Sequence, residues 1–228
     1  MKLKADLHAH CSDDPMDFIT YTADELFAMA SSFGYNVMAI TLHEKWYDPD
    51  IYREKARQYG ITLIPGVELR IEGSDVLAYN ITKVESVSIG KLADIAKIRR
   101  DDTLIIAPHP YVPFVNSLGR KLDSYHHLFD AIEVTSIHSS LLSYWNDLAR
   151  KRAAAYKLPL VGNGDIHELW QLEHTYSLIT AEKDAASVIQ AIKNGKVEVV
   201  SRPLPMFRLL LFPVRMIADV LRRTFRKF

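Results

Sequence analysis

A single cysteine, Cys11, stands among 228 residues, so no internal disulfide can form. No run approaches the ~20 consecutive apolar residues that a membrane-spanning helix needs. No basic, apolar leader opens the chain, which sets a cytoplasmic expectation. The formal net charge is zero. No global field therefore favours a polyanion, and no nucleic-acid partner is expected. Internal repeats and low-complexity tracts are absent, and no linker is evident before Pro203.

What is there suits a soluble globular enzyme, with 48% hydrophobic and 25% charged residues. The length fits one large domain or two small ones. The charge is unevenly spread. From Arg202 to Phe228 there are seven basic residues and one acid, a net of +6, which leaves the preceding 201 residues at −6. An acidic body accommodates several metal-binding carboxylates. The division expected is 1–201 as the main domain and 202–228 as a basic extension.

Short apolar runs alternate with helical segments. Met1–Leu7, Val37–His43, Ile61–Glu68, Asp75–Ile81, Thr103–His109, Ala131–His138 and Leu160–His167 predict strands, with two more at Tyr176–Ile179 and Val197–Val200. Thr22 and Glu25 form a capping-box pattern ahead of a helix over 23–33 that Gly34 closes. Pro49 can open a second helix that Gly60 closes. Further helices are expected over 88–100, 141–156 and 184–194. Alternation of this kind predicts parallel βαβ units and, with seven or eight of them, a closed or nearly closed barrel. Active sites of such barrels form at the C-terminal ends of the strands.

Those ends carry chemistry here. His8 and His10, two residues apart on a strand, point to one face. His43, Glu68, His109, His138, and the pair Asp165 and His167 close later strands. Seven of the nine histidines lie in or near this set. So many buried polar groups would be costly without partners. A His/Asp/Glu set with no thiolate suits catalytic Zn, Mn, Fe or Mg rather than a structural zinc site.

The segments Asp-Leu-His8-Ala-His10, Ala-Ile-Thr-Leu-His43, Pro-Gly-Val-Glu68, Ala-Pro-His109-Pro and Gly-Asp165-Ile-His167 together resemble the PHP (polymerase and histidinol phosphatase) superfamily, over roughly residues 3 to 200. The resemblance implies a distorted seven-stranded, TIM-like β/α barrel and a metal-dependent phosphoesterase holding two or three divalent ions. It implies that His8, His10, Glu68 and Asp165 hold one metal. Glu68 would bridge to a second that also takes His109, and His43 and His167 would hold a third with a carboxylate from the loop after His10. Asp14 is favoured over Asp13 for that carboxylate. Two departures stand out. Asp75 occupies the place of a family histidine ligand, with His138 able to fill the gap, and Leu42 replaces a family aspartate. The implied reaction is hydrolysis of a small phosphorylated substrate by metal-activated water, with Glu68 central and His138 or His167 protonating the leaving oxygen. The rival expectations are a metal hydrolase acting on a non-phosphate bond and a degenerate, metal-binding scaffold.

Basic residues beyond strand ends could clamp a phosphate, namely Arg70, Arg120, Lys45 and Lys121. Arg70, two residues past Glu68, would share its face. Cys11 reads as a small buried spacer rather than a nucleophile. In the tail, Val214, Ile217, Ala218, Leu221, Phe225 and Phe228 line one face of a helix opened by Pro213, with basic residues on the others. Contact of 206–228 with a barrel face, a second subunit or an anionic membrane surface is expected from that pattern.

Overall fold

The computed structural model describes residues 1–113, 115–136 and 143–204. Strand β1 (Lys2–Asp6) lies at the centre of a five-stranded sheet. It pairs in parallel with β2 (Val37–Met38), which pairs in parallel with β3 (Thr62–Leu63). On its other side β1 runs antiparallel to β9 (Thr175–Thr180), which is followed at the edge by β10 (Val197–Ser201). The second five-stranded sheet has the order β4 (Gly66–Ile71), β5 (Ser74–Tyr79), β6 (Leu104–Ala107), β7 (Ala131–Thr135) and β8 (Leu160–Asn163). Its first two pairings are antiparallel and its last two parallel.

The closed, seven-stranded TIM-like barrel expected from the sequence is therefore not what forms. Two mixed sheets stand face to face, and the ladder is interrupted where they meet. At one seam Pro65, which has no N–H to donate, separates β3 from β4. Beyond it the sheets touch through one isolated bridge, His43 to Glu68. At the other seam Leu7 N–H donates to the side-chain oxygen of Asn163 (3.0 Å) instead of a main-chain carbonyl. Both main-chain groups of Gly162 are satisfied by the Ser177 hydroxyl, at 2.9 and 3.0 Å. A β-carbon on Gly162 would lie 2.7 Å from the Tyr176 carbonyl oxygen, so only glycine permits this approach. The alternation of strand and helix also fails locally. Glu72 and Gly73, both with positive φ, make a two-residue hairpin turn between β4 and β5.

The core follows from strand alternation. Leu3, Ala5 and Leu7 of the first sheet meet Leu77, Tyr79, Leu104, Ile106, Ala131 and Val161 of the second, in a fully buried layer between the sheets. Helix α6 (Ala185–Lys193) closes one end of that layer with Val188, Ile189 and Ile192. Outside the first sheet pack α1 (Ala23–Ser32) and α2 (Asp50–Gln58), through Leu26, Phe27, Tyr52 and Ala56. The expected capping box is present, with Thr22 N–H donating to the Glu25 carboxylate at 2.7 Å. Outside the second sheet lie a 3-10 turn over Leu92–Lys97, α4 (Lys121–Tyr125) and α5 (Tyr144–Tyr156). The helix expected over 88–100 is instead a short α3 (Lys83–Ser88), capped by Thr82 and Glu85, then Gly90 and the 3-10 turn.

Among the described residues no helix is long and apolar enough to cross a membrane. The expected tail helix over 206–228 and His138 lie outside the described residues.

Candidate metal centre

The site forms where the two sheets part. Beyond β1 the chain stays extended. Ile166 N–H donates to the His8 carbonyl and His10 N–H to the Ile166 carbonyl, both at 3.0 Å. Thr41 N–H donates to the Ala9 carbonyl at 2.8 Å on the other side. His8 and His10 are thus fixed between segments leading to His43 and to Asp165 and His167. Two positions of the site are held in left-handed backbone, His109 (φ 43°) and Asp165 (φ 49°). Such conformations cost free energy and concentrate at functional sites.

Glu68, at the middle of β4, is the hub. Its Oε2 lies 3.2 Å from His8 Nε2, 3.3 Å from His10 Nε2 and 3.1 Å from His43 Nε2. Its Oε1 lies 3.4 Å from His109 Nε2. Asp165 Oδ1 faces the same histidines, 3.3 Å from His8, 3.5 Å from His10 and 3.4 Å from His167 Nδ1. Asp14 sits behind. Its Oδ2 lies 3.0 Å from His10 Nδ1 and 3.1 Å from His43 Nδ1, and also accepts His43 N–H at 2.9 Å. Its Oδ1 accepts the main-chain N–H groups of Met16 and Asp17. Asp13 turns outward to the Tyr52 hydroxyl.

Electrostatics follow from this packing. Burial pushes Glu68 toward protonation, but the surrounding imidazoles outweigh it and hold its carboxyl well below the usual range. The same opposition leaves Asp165 and Asp14 strongly lowered. Burial likewise works against charge on His8, His10, His109 and His167, yet the carboxylates raise all four. Imidazoles and carboxylates here compensate one another in a volume that also suits a divalent cation. Among the described residues three sets have ligand atoms within 4.8 Å of one another: His8, His10 and Asp165; His8, Glu68 and His109; His10, Asp14 and His43. His10 Nε2 and His109 Nδ1 are buried with no hydrogen-bond partner among the described residues. Orphaned imidazole nitrogens beside carboxylates are what nitrogen-oxygen coordination would satisfy. The residues present fit divalent metal.

Three contributors were not among the residues expected from sequence. Glu133, fully buried in β7, has Oε2 3.0 Å from His8 Nδ1 and accepts from Asn163 Nδ2 at 2.9 Å. A lone acid in the apolar strand Ala131–Thr135 is a signal that could have found it. Asp17 approaches His167 Nε2 at 2.8 Å and His43 Nδ1 at 3.6 Å. Asp6, pushed up to about 8 by burial, accepts the main-chain N–H groups of His8 and Gly164 and ties β1 to the loop after β8.

Other expected residues fall at the margin or away. Asp75 belongs to none of the three sets and instead accepts from Arg70 Nε at 2.9 Å. Arg120 is exposed ahead of α4, and Lys121 reaches the β4–β5 hairpin through Ser74 Oγ at 3.1 Å. Lys45 donates to the Asp13 carbonyl. Cys11 is buried, its sulfur 3.9 Å from the Tyr52 hydroxyl.

Solved structures share this architecture. A two-domain protein from Bacteroides vulgatus, containing a predicted PHP-like metal-dependent phosphoesterase, matches with TM-score 0.64 at 18% identity, over 89% of this chain and 65% of that one. PsfC from Pseudomonas syringae matches with TM-score 0.65 at 13% identity, over 98% of both chains. The lesion-specific endonuclease PfuEndoQ from Pyrococcus furiosus matches with TM-score 0.61 at 16% identity, over 87% of this chain and 58% of that one. The chain therefore has a fold found among PHP-like metal-dependent phosphoesterases. A family model described as PHP-associated matches residues 143–197.

Proposed function

We propose that the chain is a metal-dependent hydrolase that cleaves a phosphoester bond of a small phosphorylated substrate. The observation that carries this reading is Glu68, one buried carboxylate with four imidazole nitrogens within 3.4 Å. His8, His10, Glu68 and Asp165 are the proposed ligands of a first ion. Glu68 and His109 extend to a second. His43 and Asp14 extend to a third. Divalent ions bound there would lower the pKa of water and offset charge developing on phosphoryl oxygens.

The chain's own residues do the rest. Glu133 and Asp14 accept from the Nδ1 atoms of His8 and His10, which leaves the Nε2 lone pairs facing Glu68 and Asp165. His167 has a side chain 29% exposed, the most open imidazole of the group. It is the proposed proton donor to the leaving oxygen, with Asp17 orienting its ring. The fold gives Arg70 the same face as Glu68, where its guanidinium would meet an anionic group.

Metal content of the purified protein, with turnover of p-nitrophenyl phosphate in Mn or Zn, tests the proposal. Stoichiometric metal and metal-dependent turnover are the expected result. A protein that binds metal yet hydrolyses no member of a panel of phosphomonoesters and phosphodiesters, lesion-bearing DNA included, would exclude the phosphoester reading.

A further inference from the structure

The pair Arg70–Asp75 lies beside the cluster without belonging to it. Register places Arg70 of β4 directly opposite Asp75 of β5, so both side chains leave the same face of the hairpin. That face is identified by the neighbours. Val67, Leu69 and Ile71, and across from them Val76 and Ala78, enter the outer core beneath α4 and α5. Leu77 and Tyr79 enter the layer between the sheets. Glu68, Arg70 and Asp75 therefore share the inner face, with Arg70 about 7 Å further along the strand than Glu68. Asp75 is 4% exposed, whereas Arg70 is 30% exposed. Arg70 Nε donates to Asp75 Oδ1 at 2.9 Å, and no described residue accepts from its two terminal nitrogens. The exposed Glu44 carboxylate accepts the Arg70 main-chain N–H, which pins the backbone beneath the side chain.

We propose that Asp75 is a positioning residue for Arg70, holding its terminal guanidinium nitrogens at the mouth of the metal centre to bind anionic oxygens of the phosphoryl group, and that it is not itself a metal ligand. The proposal rests on the phosphoester reading above. Its physical basis is the planarity of guanidinium. Fixing Nε against a buried carboxylate fixes the plane, so the two outward N–H groups are pre-oriented for a bidentate contact. Lysine cannot reproduce that geometry. A carboxylate already bonded to an arginine is also a poor site for a cation, because the guanidinium repels it.

The experiment measures inorganic phosphate binding to the Mn-loaded protein by calorimetry, alongside metal content, for wild type, Arg70→Met, Arg70→Lys, Asp75→Asn and the double variant Arg70→Met/Asp75→Asn. Arg70→Met should weaken phosphate binding roughly 10- to 100-fold, as expected for loss of charged hydrogen bonds. Arg70→Lys should recover only part of that loss. Asp75→Asn should weaken binding by a smaller factor, keep full metal content, and have no further effect once Arg70 is Met. Loss of a metal equivalent in Asp75→Asn would make it a ligand and overturn the proposal. Additive effects of the two substitutions would overturn the positioning role. Unchanged phosphate affinity in Arg70→Met, with wild type binding phosphate, would remove Arg70 alone. A wild-type protein that holds metal and binds no phosphate would remove the phosphoester reading with it.

Discussion

The two ends of this molecule are built on opposite terms. Between the sheets, Leu3, Leu7, Val37, Leu77, Leu104 and Ile179 are fully buried and carry no charge. Elsewhere in the same two sheets and the loops that leave them, His8, His10, Glu68, Glu133 and Asp165 are nearly as deeply buried and all carry ionisable groups. Apolar burial of the first kind stabilises a fold by ~25 cal/mol per Å². Burial of the second kind is costly and is retained only where the charges compensate one another or hold an ion. The contrast teaches that the apolar layer supports the fold, while the charged end is held in place by it.

Four substitutions break or sharpen that contrast. The largest effect is expected at the hub. Glu68→Gln should lose most of the bound metal and at least ~100-fold of turnover, and metal analysis with a turnover assay checks both. Next, Leu104→Ala opens a cavity in the apolar layer and should cost about 2–5 kcal/mol in denaturant unfolding. The folded protein should keep its metal stoichiometry, because Leu104 touches none of the site. Glu133→Gln lies between the two regions. It should weaken metal binding by about 10- to 100-fold through loss of the carboxylate behind His8, with a thermal midpoint for the metal-free protein close to wild type. The smallest effect belongs to Lys2→Ala. The Lys2–Glu198 pair at 2.6 Å is more than half exposed on both sides, so its removal should change stability by less than about 1 kcal/mol and leave metal affinity unaltered.

How far each region was legible in the sequence follows from the same contrast. The site residues stand at the ends of apolar runs, and His8, His10, His43, Glu68, His109, Asp165 and His167 are all brought together. Local sequence carries much of that, although Glu68, expected to close the strand Ile61–Glu68, stands inside β4 because the chain breaks at Pro65 and the strand starts again at Gly66. Closure of the sheets is a long-range matter. Nothing in Glu72-Gly73 announces that β4 and β5 reverse direction except a glycine whose turn requires positive φ. Nothing local in Gly162 or Ser177 shows that the side chain of one satisfies the main chain of the other across a seam. Glu133 and Asp17 were missed for a related reason. Each acts by touching a histidine more than twenty residues away, so no spacing within its own segment reveals it.

The seams have one more consequence. Candidate ligands face one another across both of them. His43 and Glu68 form the bridge at one, where Glu44 N–H donates to the Glu68 carbonyl at 2.8 Å. His8 and His10 flank the Ala9–Ile166 bridge at the other, beside Asp165 and His167. An ion held by ligands from both sheets would act as a clasp on the few main-chain hydrogen bonds that join them. Chelation should then quicken amide hydrogen exchange at His10, Glu44 and Ile166, while the amides within the β4–β5 hairpin keep their protection. Equal exchange at all of these positions, with and without metal, would mean that the sheets hold together unaided.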